Sequence, residues 1–213
     1  MKIIKAGYEI LTAISEGGIE ELQHIERIGR VCYKSEDKIT EDGESAKRFV
    51  QMIIDRGHEA MIEHSSLSIK FIVDRGVSHE LVWHRIASFA QESTRYCNYS
   101  KDKFDNGITF IKPFFFDDIK YQRWIAAMAD AESAYLDLMN GGATPQEARS
   151  VLPNSTKTEI TITANYREWR NFFRLRTAKA AHPQMREVTI PLLADLKKKF
   201  PIIFDDITVE EQP

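Results

Sequence analysis

The sequence has few cysteines and no long apolar run. Its two cysteines, Cys32 and Cys97, are too few for a disulfide framework, and the opening residues MKIIKAGYEI lack the pattern of a secretory signal. A membrane-spanning helix needs about 20 predominantly apolar residues in succession, and the sequence contains no such run. These absences predict a cytoplasmic protein without a disulfide, a cysteine-bound metal or a membrane partner.

The glycines and the charges exclude further classes. None of the ten glycines forms the GxGxxG pattern of a Rossmann dinucleotide site or the GxxxxGK pattern of a phosphate loop. The 29 lysines and arginines are outnumbered by 32 aspartates and glutamates, so the net charge of −3 gives no general attraction for nucleic acid. An anionic ligand must therefore be bound by a local cluster of cations.

Hydrophobic periodicity predicts an α+β fold. Helical spacing of apolar residues predicts helices over 19–33, 45–56, 117–138, 165–177 and from 183 onward, and alternating or β-branched runs predict strands over 67–73, 108–111 and 156–163. We expect Ser78 to cap a short helix and Thr144 to begin another that carries Arg149, and we expect Pro191 to kink or split the last helix. Without repeats or linkers, residues 1–213 are predicted to form a single domain: a small, mostly antiparallel sheet covered by helices.

Hydrogen-bonding residues are concentrated between Trp83 and Ser100, in the stretch WHRIASFAQESTRYCNYS, which shows no apolar period. Arg85 and Arg95 belong to it, and Arg149 lies in a separate element. Because the planar fork of arginine suits phosphate, these segments can form a ligand cage with neighbouring hydroxyl groups. The alternative is solvated surface, which loops of this composition more often form.

A second set of arginines follows Asn165. At 100° per residue, Arg167, Arg170 and Arg174 share one stripe of the predicted helix, whereas Arg176 emerges from the apolar face. An unpaired cation there is costly, so Arg176 must have an anionic or hydrogen-bonding partner. A structural salt bridge and a ligand clamp both satisfy this requirement.

Two other groups of residues are weaker candidates for a functional site. His58 and His64 are six residues apart rather than the four that a zinc-binding helix needs, so no metal site is predicted. Cys97 with His84 has the composition of a thiolate nucleophile, but no spacing places them together, and such a cysteine is more often inert.

Four stretches, in order, resemble the flavin-dependent thymidylate synthase family. Trp83-His84-Arg85, seven further residues, Ser93 and Arg95 match the family signature (Arg-His-Arg, seven residues, Ser, one residue, Arg) at every named position except the first. The other three are RGHEAMIEH (56–64), EARSVLP (147–153) and NYREWRNFFRLR (165–176). The resemblance covers most of the chain and implies the fold of thymidylate synthase complementing proteins, with the polar run as a nucleotide-binding loop.

The activity implied by this resemblance is the reductive methylation of dUMP to dTMP, a methyltransferase step of nucleotide biosynthesis. Methylenetetrahydrofolate would donate the carbon, FAD would carry the hydride, and NADPH would reduce the flavin. Family members are homotetramers whose active sites are shared between subunits, and no nucleic-acid partner is implied.

The resemblance also implies residue roles, position by position. The residues expected to contact dUMP are Glu80, Trp83, Gln91, Glu92, Ser93, Thr94, Arg95, Arg149 and Arg176. Those expected to contact FAD are His58, Ala60, Trp83, His84, Arg85, Gln91, Asn165, Arg167 and Asn171. Arg176 is the implied catalytic residue, because its fixed charge would stabilise a uracil ring deprotonated at nitrogen.

The sequence departs from the family pattern at three positions. Trp83 replaces the first signature arginine, Ala180 stands where many relatives have a histidine near the flavin, and Gln91 replaces a frequent glutamate. A catalytically weakened relative that binds nucleotide and flavin is therefore one alternative. The other is an RNA-binding module, in which arginines interleaved with aromatic residues stack bases; flavin absorbance against salt-sensitive RNA affinity separates these classes.

We predict that Trp83→Arg strengthens the binding of FAD or dUMP. An indole can stack on a ring but cannot neutralise an anion, so one phosphate-pairing fork, worth about 1.5–3 kcal/mol, is missing. Titration of each ligand into both proteins measures the difference. Equal affinities would contradict the prediction.

Overall fold

The computed structural model describes residues 1–209 and divides them into two compact units, each built from three chain segments. Unit 1 comprises Met1–Tyr8, Lys70–Trp83 and Phe89–Thr161. Unit 2 comprises Glu9–Ile69, His84–Ser88 and the chain from Ile162 onward. Because the segments of the two units alternate along the chain, this division is not a cut between consecutive domains. The single domain expected for residues 1–213 stays a prediction.

Within the described residues, six strands form two sheets. The strands are β1 (Lys2–Ile4), β2 (Gly7–Ile10), β3 (Ser66–Asp74), β4 (Ala87–Gln91), β5 (Thr109–Ile111) and β6 (Lys157–Asn165). β1 and β5 pair in parallel, with Ile3 opposite Phe110. The other four strands have the order β2-β3-β6-β4. The predicted α+β class is confirmed, with a small antiparallel sheet that is accompanied by helices.

Seven α-helices accompany the sheets in the described part of the chain. They are α1 (Ile19–Tyr33), α2 (Glu44–Asp55), α3 (Arg75–Leu81), α4 (Asp118–Asn140), α5 (Pro145–Ala148), α6 (Tyr166–Arg176) and α7 (Pro183–Lys199). Short 3-10 turns add Glu59–His64 and Arg149–Val151, among others. Within residues 1–209, no helix has both the length and the apolar character that a membrane span requires.

Unit 1 has an aromatic core beside α4. Phe110 of β5 packs edge-on against Trp124, and Tyr99 lies 5.8 Å from Tyr135, measured between ring centroids. The indole nitrogen of Trp124 donates to Ser155 Oγ at 3.0 Å, which satisfies the only polar atom of that side chain. This core fixes the segment from 93 to 100, because Tyr99 belongs to both.

The core of unit 2 is formed by the apolar faces of α1, α2, α6 and α7. α1 packs on α2, α6 packs on α7, and the Glu59–His64 turn contacts α1 and α6. Trp169 and Phe173 stack one helical turn apart on α6, and Trp169 Nε1 donates to the carbonyl oxygen of Leu67 at 2.9 Å. The core therefore holds α6 against β3 with a defined rotation, which decides where its polar residues point.

A close approach between α1 and α2 requires a glycine. A Cβ added to Gly29 would lie 2.4 Å from a ring carbon of Phe49, which is itself buried. Beside this contact, Glu26 is fully buried and accepts hydrogen bonds from Ser45 Oγ at 2.8 Å and from Arg30 Nη2 at 2.7 Å. The buried carboxylate is thus paired, as a charge in a core must be.

The predicted elements are largely confirmed, with three differences. Ser78 does not cap α3: the cap is Asp74, whose Oδ1 accepts from Val77 N at 2.7 Å, while Ser78 Oγ donates to the Arg75 carbonyl inside the helix. α7 continues through Pro191, so the helix is not split there, and the alternative of a kink at this residue stays a prediction. The polar run from 83 to 100 is not a loop throughout, because Ala87–Gln91 is strand β4. In addition, the short strands β1 and β2 had not been predicted.

We predict that Gly29→Ala lowers the free energy of unfolding by about 1–2 kcal/mol. The added methyl group must displace the buried Phe49 ring, an overpacking cost of about 1–3 kcal/mol, and this exceeds the helix propensity gained over glycine. Urea denaturation measures the change. The control is Gly7→Ala, where an added Cβ meets nothing within 4 Å, so its stability should stay within about 0.5 kcal/mol of wild type. An unchanged Gly29→Ala midpoint would contradict the close approach.

Candidate functional site

A cavity of about 500 Å³ lies along the polar face of α6 in unit 2. It is lined by Glu59, Glu63, Ile86, Asn165, Arg167, Glu168, Asn171 and Arg174. Its volume falls within the range of about 300–1,000 Å³ that is usual for small-molecule sites. Three of its residues, Asn165, Arg167 and Asn171, belong to the predicted FAD set, and they are brought to one place by helical spacing.

The first turn of α6 orients two of these amides. Asn165 is the N-cap, and its Oδ1 accepts from Glu168 N at 2.9 Å, so its amide nitrogen is the group left for a ligand. Asn171 lies one turn beyond Arg167, and its amide nitrogen is 3.3 Å from Glu168 Oε2. The start of the helix thus presents amide donors and a guanidinium group toward the same cavity.

Carboxylates neutralise the arginine stripe of α6. Arg167 Nη1 donates to Glu63 Oε1 at 2.5 Å, and Arg174 Nη2 donates to Glu59 Oε1 at 3.3 Å. Arg170 is only 1% exposed and forms two hydrogen bonds with Asp206, at 2.6 and 2.7 Å, besides one with Glu59. Arg170 is therefore a structural cation. Arg167 and Arg174 are held in place by groups that a bound anion would have to share.

Arg176 has a hydrogen-bonding partner, as its position on the apolar face required. Its Nε donates to His84 Nε2 at 3.0 Å, and His84 Nδ1 lies 2.9 Å from Glu168 Oε1. Since a guanidinium group can only donate, His84 Nε2 must be unprotonated, and the proton therefore lies on Nδ1. The chain Glu168, His84, Arg176 fixes both the imidazole tautomer and the orientation of the guanidinium group.

His84 is buried in unit 2 and is kept neutral. Burial lowers the pKa of His84 and the nearby Arg176 charge lowers it further, against the opposing effect of the hydrogen bond that His84 donates to Glu168. Its ring also packs edge-on against Phe172, with centroids 4.8 Å apart. A neutral acceptor is the state that the Arg176 hydrogen bond needs.

The remaining residues of the predicted FAD set are less enclosed. His58 is exposed, and its Nδ1 lies 3.1 Å from the hydroxyl of Tyr33 on α1. Ala60 follows on the Glu59–His64 turn, and Arg85 is exposed next to His84. These three do not line the cavity beside α6.

Most of the predicted dUMP set lies in unit 1. Gln91, at the end of β4, donates from its amide nitrogen to Ser78 Oγ at 2.9 Å and to Thr158 Oγ1 at 3.2 Å. Glu92 accepts from Tyr99 at 2.8 Å and from Lys157 at 2.9 Å. Both side chains are therefore engaged in the protein's own network, and their carbonyl or carboxylate oxygens retain capacity for a further donor.

One hydrogen bond joins the two arginine-bearing segments of unit 1. Arg95 Nε donates to Gln146 Oε1 at 3.1 Å, which ties the polar run to α5, three residues before Arg149. Arg149 is exposed, and Ser93 Oγ accepts from the backbone nitrogen of Arg95 at 3.3 Å. Two predicted phosphate-binding arginines are thus carried on connected elements.

The other members of the set differ in exposure. Thr94 is buried, Glu80 is half-buried on α3, and Trp83 is 71% exposed. Of the expected dUMP contacts, only Arg176 belongs to unit 2, and of the expected FAD contacts, only Trp83 and Gln91 belong to unit 1. The two predicted ligand sets therefore follow the two units closely, although their roles stay predictions.

Five residues of the cavity wall belong to neither predicted ligand set: Glu59, Glu63, Glu168, Arg174 and Ile86. Glu59 and Glu63 lie in the stretch RGHEAMIEH (56–64), of which only His58 and Ala60 belong to the predicted FAD set. The carboxylate of Glu168 bonds to His84, 84 positions away, and no local feature of the sequence pairs these two residues. One feature of the sequence could have predicted these carboxylates: several glutamates occupy positions that can face the arginine stripe.

Comparison with known proteins identifies the family. The family model described as thymidylate synthase complementing protein matches residues 19–202. The chain belongs to this family. A flavin-dependent thymidylate synthase of Corynebacterium aurimucosum is 30% identical, over 92% of this chain and 84% of that protein. A protein of the same name from Mycobacterium avium is 32% identical, over 87% of this chain and 79% of that protein. Another, from Pyrococcus furiosus, is also 32% identical, over 80% of this chain and 70% of that protein.

A solved structure shares the fold. The UMP/dUMP methylase PolB from Streptomyces cacaoi, in a crystal structure bound with 5-Br dUMP, superposes with a TM-score of 0.75 at 21% identity. The match covers 96% of each chain. The predicted fold of this family is thereby confirmed over nearly the whole chain.

We predict that acid destabilises the protein in part through His84. Because its folded pKa lies below the unfolded value of 6.5, the unfolded state binds the proton more readily, and stability is lost as pH falls from 6.5 through the folded pKa. Between about pH 7 and about pH 5, the midpoint temperature of thermal unfolding should fall less for His84→Gln than for wild type. His64→Gln, at an exposed histidine, is the control and should keep the wild-type slope. Parallel slopes for all three proteins would contradict the assignment.

Proposed function

We propose that the protein is a flavin-dependent thymidylate synthase, which converts dUMP to dTMP with methylenetetrahydrofolate as carbon donor and NADPH as reductant of FAD. The observation that carries this proposal is Arg176, whose guanidinium group is held by His84 and Glu168 on a helix that also lines a ligand-sized cavity. The names of the relatives support the activity. The 5-Br dUMP bound by the structural neighbour supports a uridine nucleotide as substrate.

The donors of the α6 cavity fit part of a dinucleotide such as FAD. The amide nitrogens of Asn165 and Asn171 suit the edge of a heterocycle or a ribose, and the fork of Arg167 suits a phosphate oxygen. When bound, FAD supplies the hydride chemistry, and the protein supplies orientation. His58, Ala60, His84 and Arg85 of unit 2, with Trp83 and Gln91, complete the proposed FAD contacts.

The carboxylates around Arg167 prepare this site. Glu63 and Glu59 hold the guanidinium group before a ligand arrives, so less side-chain entropy is lost on binding. They also compete with an anion, which limits affinity. We infer that the ligand's uncharged parts, which contact Asn165 and Asn171, contribute much of its binding in this cavity.

Arg176 acts on the nucleotide by charge alone in this proposal. A guanidinium group acts as a fixed positive charge and a hydrogen-bond donor, not as an acid or a base. His84 accepts from Nε and so fixes the plane of the fork, while Glu168 keeps the imidazole proton on Nδ1. A preorganised cation of this kind stabilises the negative charge that develops on a uracil ring, which activates the neighbouring carbon.

The nucleotide phosphate requires the second group of arginines. We propose Arg95 and Arg149 as its principal partners, since both are exposed and their segments are joined by the Gln146 hydrogen bond. The supporting contacts proposed for dUMP are Glu80, Trp83, Gln91, Glu92, Ser93 and Thr94. The catalytically weakened alternative depends on Trp83 within this group.

A homotetramer with active sites shared between subunits is part of the proposal. Its support is the exposure of large apolar side chains in and next to the signature segment: Trp83, Ile86 and Tyr96 are each more than two-thirds exposed. Side chains of this size are commonly covered by a partner or a ligand. A cytoplasmic location also stays a prediction.

Release of tritium from dUMP labelled at carbon 5 tests the activity. With FAD, NADPH and methylenetetrahydrofolate present, wild-type protein should release tritium and should show flavin absorbance after purification. Arg176→Lys removes the planar fork and the hydrogen bond from Nε to His84, so we expect kcat to fall by about 10²–10³-fold, the usual loss for one preorganised donor. Arg27→Lys, an exposed arginine of α1, is the matched control and should keep full activity.

The outcomes are distinct. No release by wild type with all three ligands present would remove the synthase proposal. Release by Arg176→Lys at the wild-type rate would keep the activity but remove the catalytic role of Arg176. Flavin binding without release would identify the catalytically weakened relative.

A further inference from the structure

A second cavity in unit 2, of about 420 Å³, lies where the end of α1 and the following turn face α2. It is lined by Arg30, Tyr33, Ser35, Lys38, Arg48, Phe49, Met52 and Arg56, and we refer to it as the basic cavity. Four of these eight side chains are cationic, and none is a carboxylate. The α6 cavity, by contrast, has three carboxylates in its wall.

Three cations of the basic cavity carry charge that the protein does not neutralise. Within residues 1–209, no carboxylate forms an ion pair with Lys38, Arg48 or Arg56, and all three are exposed. Arg48 lies near enough to Asp42 to contribute to the lowering of that carboxyl's pKa, which is due first to hydrogen bonding from Thr40. The cavity is therefore a local positive region on a chain whose net charge is −3.

Helical spacing brings two of these charges to one face of α2. Arg48, Met52 and Arg56 follow each other at intervals of four residues, so they share one side of α2 and its C-terminal continuation. Like charges gathered in a concave wall repel one another, and solvated surfaces usually disperse them. A bound anion removes this cost.

The wall behind these cations is rigid. Arg30 is tied to the buried Glu26 through Nε at 3.0 Å and Nη2 at 2.7 Å, and its guanidinium carbon lies 4.8 Å from the centre of the Phe49 ring. Arg30 also approaches Ser35 Oγ, at 3.4 Å, as a donor. Ser35 is only 9% exposed, and with its oxygen accepting from Arg30, its hydroxyl proton can be donated to a ligand.

We propose that the basic cavity binds the phosphate group of a phosphomonoester. A dianionic phosphate matches a wall of three unpaired cations better than a single carboxylate does, and the forks of Arg48 and Arg56 suit its oxygens. The hydroxyl of Ser35 adds a neutral donor. The half-exposed Tyr33 offers a ring face or edge to whatever group carries the phosphate.

Tyr33 also connects the basic cavity to the proposed flavin contacts. Its hydroxyl lies 3.1 Å from Nδ1 of His58, which belongs to the proposed FAD set. This connection indicates one source of the phosphate, and the assignment rests on the proposed function. The source is the 2′-phosphate of NADPH, the group that NADH lacks. The other source is the free phosphate ion.

Isothermal titration of the full chain with adenosine 2′-monophosphate and with inorganic phosphate tests the site. We expect wild type to bind at least one probe, with an affinity that falls as salt rises. Arg48→Gln and Arg56→Gln should each weaken binding by about tenfold or more, as the loss of one charge-assisted hydrogen bond predicts. Lys47→Gln is the matched control: it removes the same charge from the same helix, but Lys47 pairs with Glu44 at 2.7 Å and does not line the basic cavity.

The probes identify the source. Tighter binding of the adenosine phosphate than of phosphate ion, with a variant effect on NADPH but not on NADH, assigns the site to the dinucleotide. Equal binding of both probes assigns it to the ion. Failure of wild type to bind either probe, or an equal loss in Lys47→Gln, overturns the proposal. Because these titrations need neither FAD nor turnover, their failure in an active synthase removes only this inference, and success in an inactive protein leaves the site standing.

Discussion

The arrangement of unit 2 depends on how one arginine is accommodated at the end of a largely apolar helix. Arg176 follows Phe172 and Phe173, both buried, and its Nε is satisfied by a neutral imidazole rather than by a carboxylate. His84 lies between Arg176 and Glu168, and Glu168 thereby fixes the orientation of the imidazole that accepts from Arg176 Nε.

The other three arginines of this helix, which precede Arg176, are accommodated by carboxylates instead. Arg167, Arg170 and Arg174 each have carboxylate partners, and Arg170 is buried with them. Burying such a cation is tolerable only with this pairing. Within the described residues, unit 2 therefore contains arginines that carboxylates hold in place, such as Arg170, and one, Arg176, whose Nε is oriented through His84.

Local signals in the sequence account for much of the fold. The helix that begins at Thr144 and the helix over 165–177 were both predicted, and a capping residue is present at each start. Strand β4 was missed because Ala87–Gln91 has small and polar residues on both faces, so no alternation marks it. β1 was missed because its stability comes from pairing with β5, more than a hundred residues away. At α3, two capping residues lay four positions apart, and sequence alone did not favour Asp74 over Ser78.

The candidate site was predictable where it depends on one helix and less so where it depends on tertiary contacts. Helical spacing placed Arg167 on the polar stripe of the helix and separated Arg176 from it, and the requirement of a partner for Arg176 followed from burial cost. The identity of that partner did not follow, because the bond from Arg176 to His84 spans 92 positions. The carboxylates of the α6 cavity were unforeseen for the same reason.

The central claim is that the charge of Arg176, oriented by His84 and Glu168, meets the uracil ring of a bound nucleotide. A crystal structure of the full chain with FAD and dUMP tests it most directly. We expect the Arg176 guanidinium group within hydrogen-bonding distance of a uracil ring atom, with Nε still donating to His84 Nε2. A uracil ring bound away from Arg176, or an Arg176 side chain turned into solvent with its His84 hydrogen bond broken, would contradict the account.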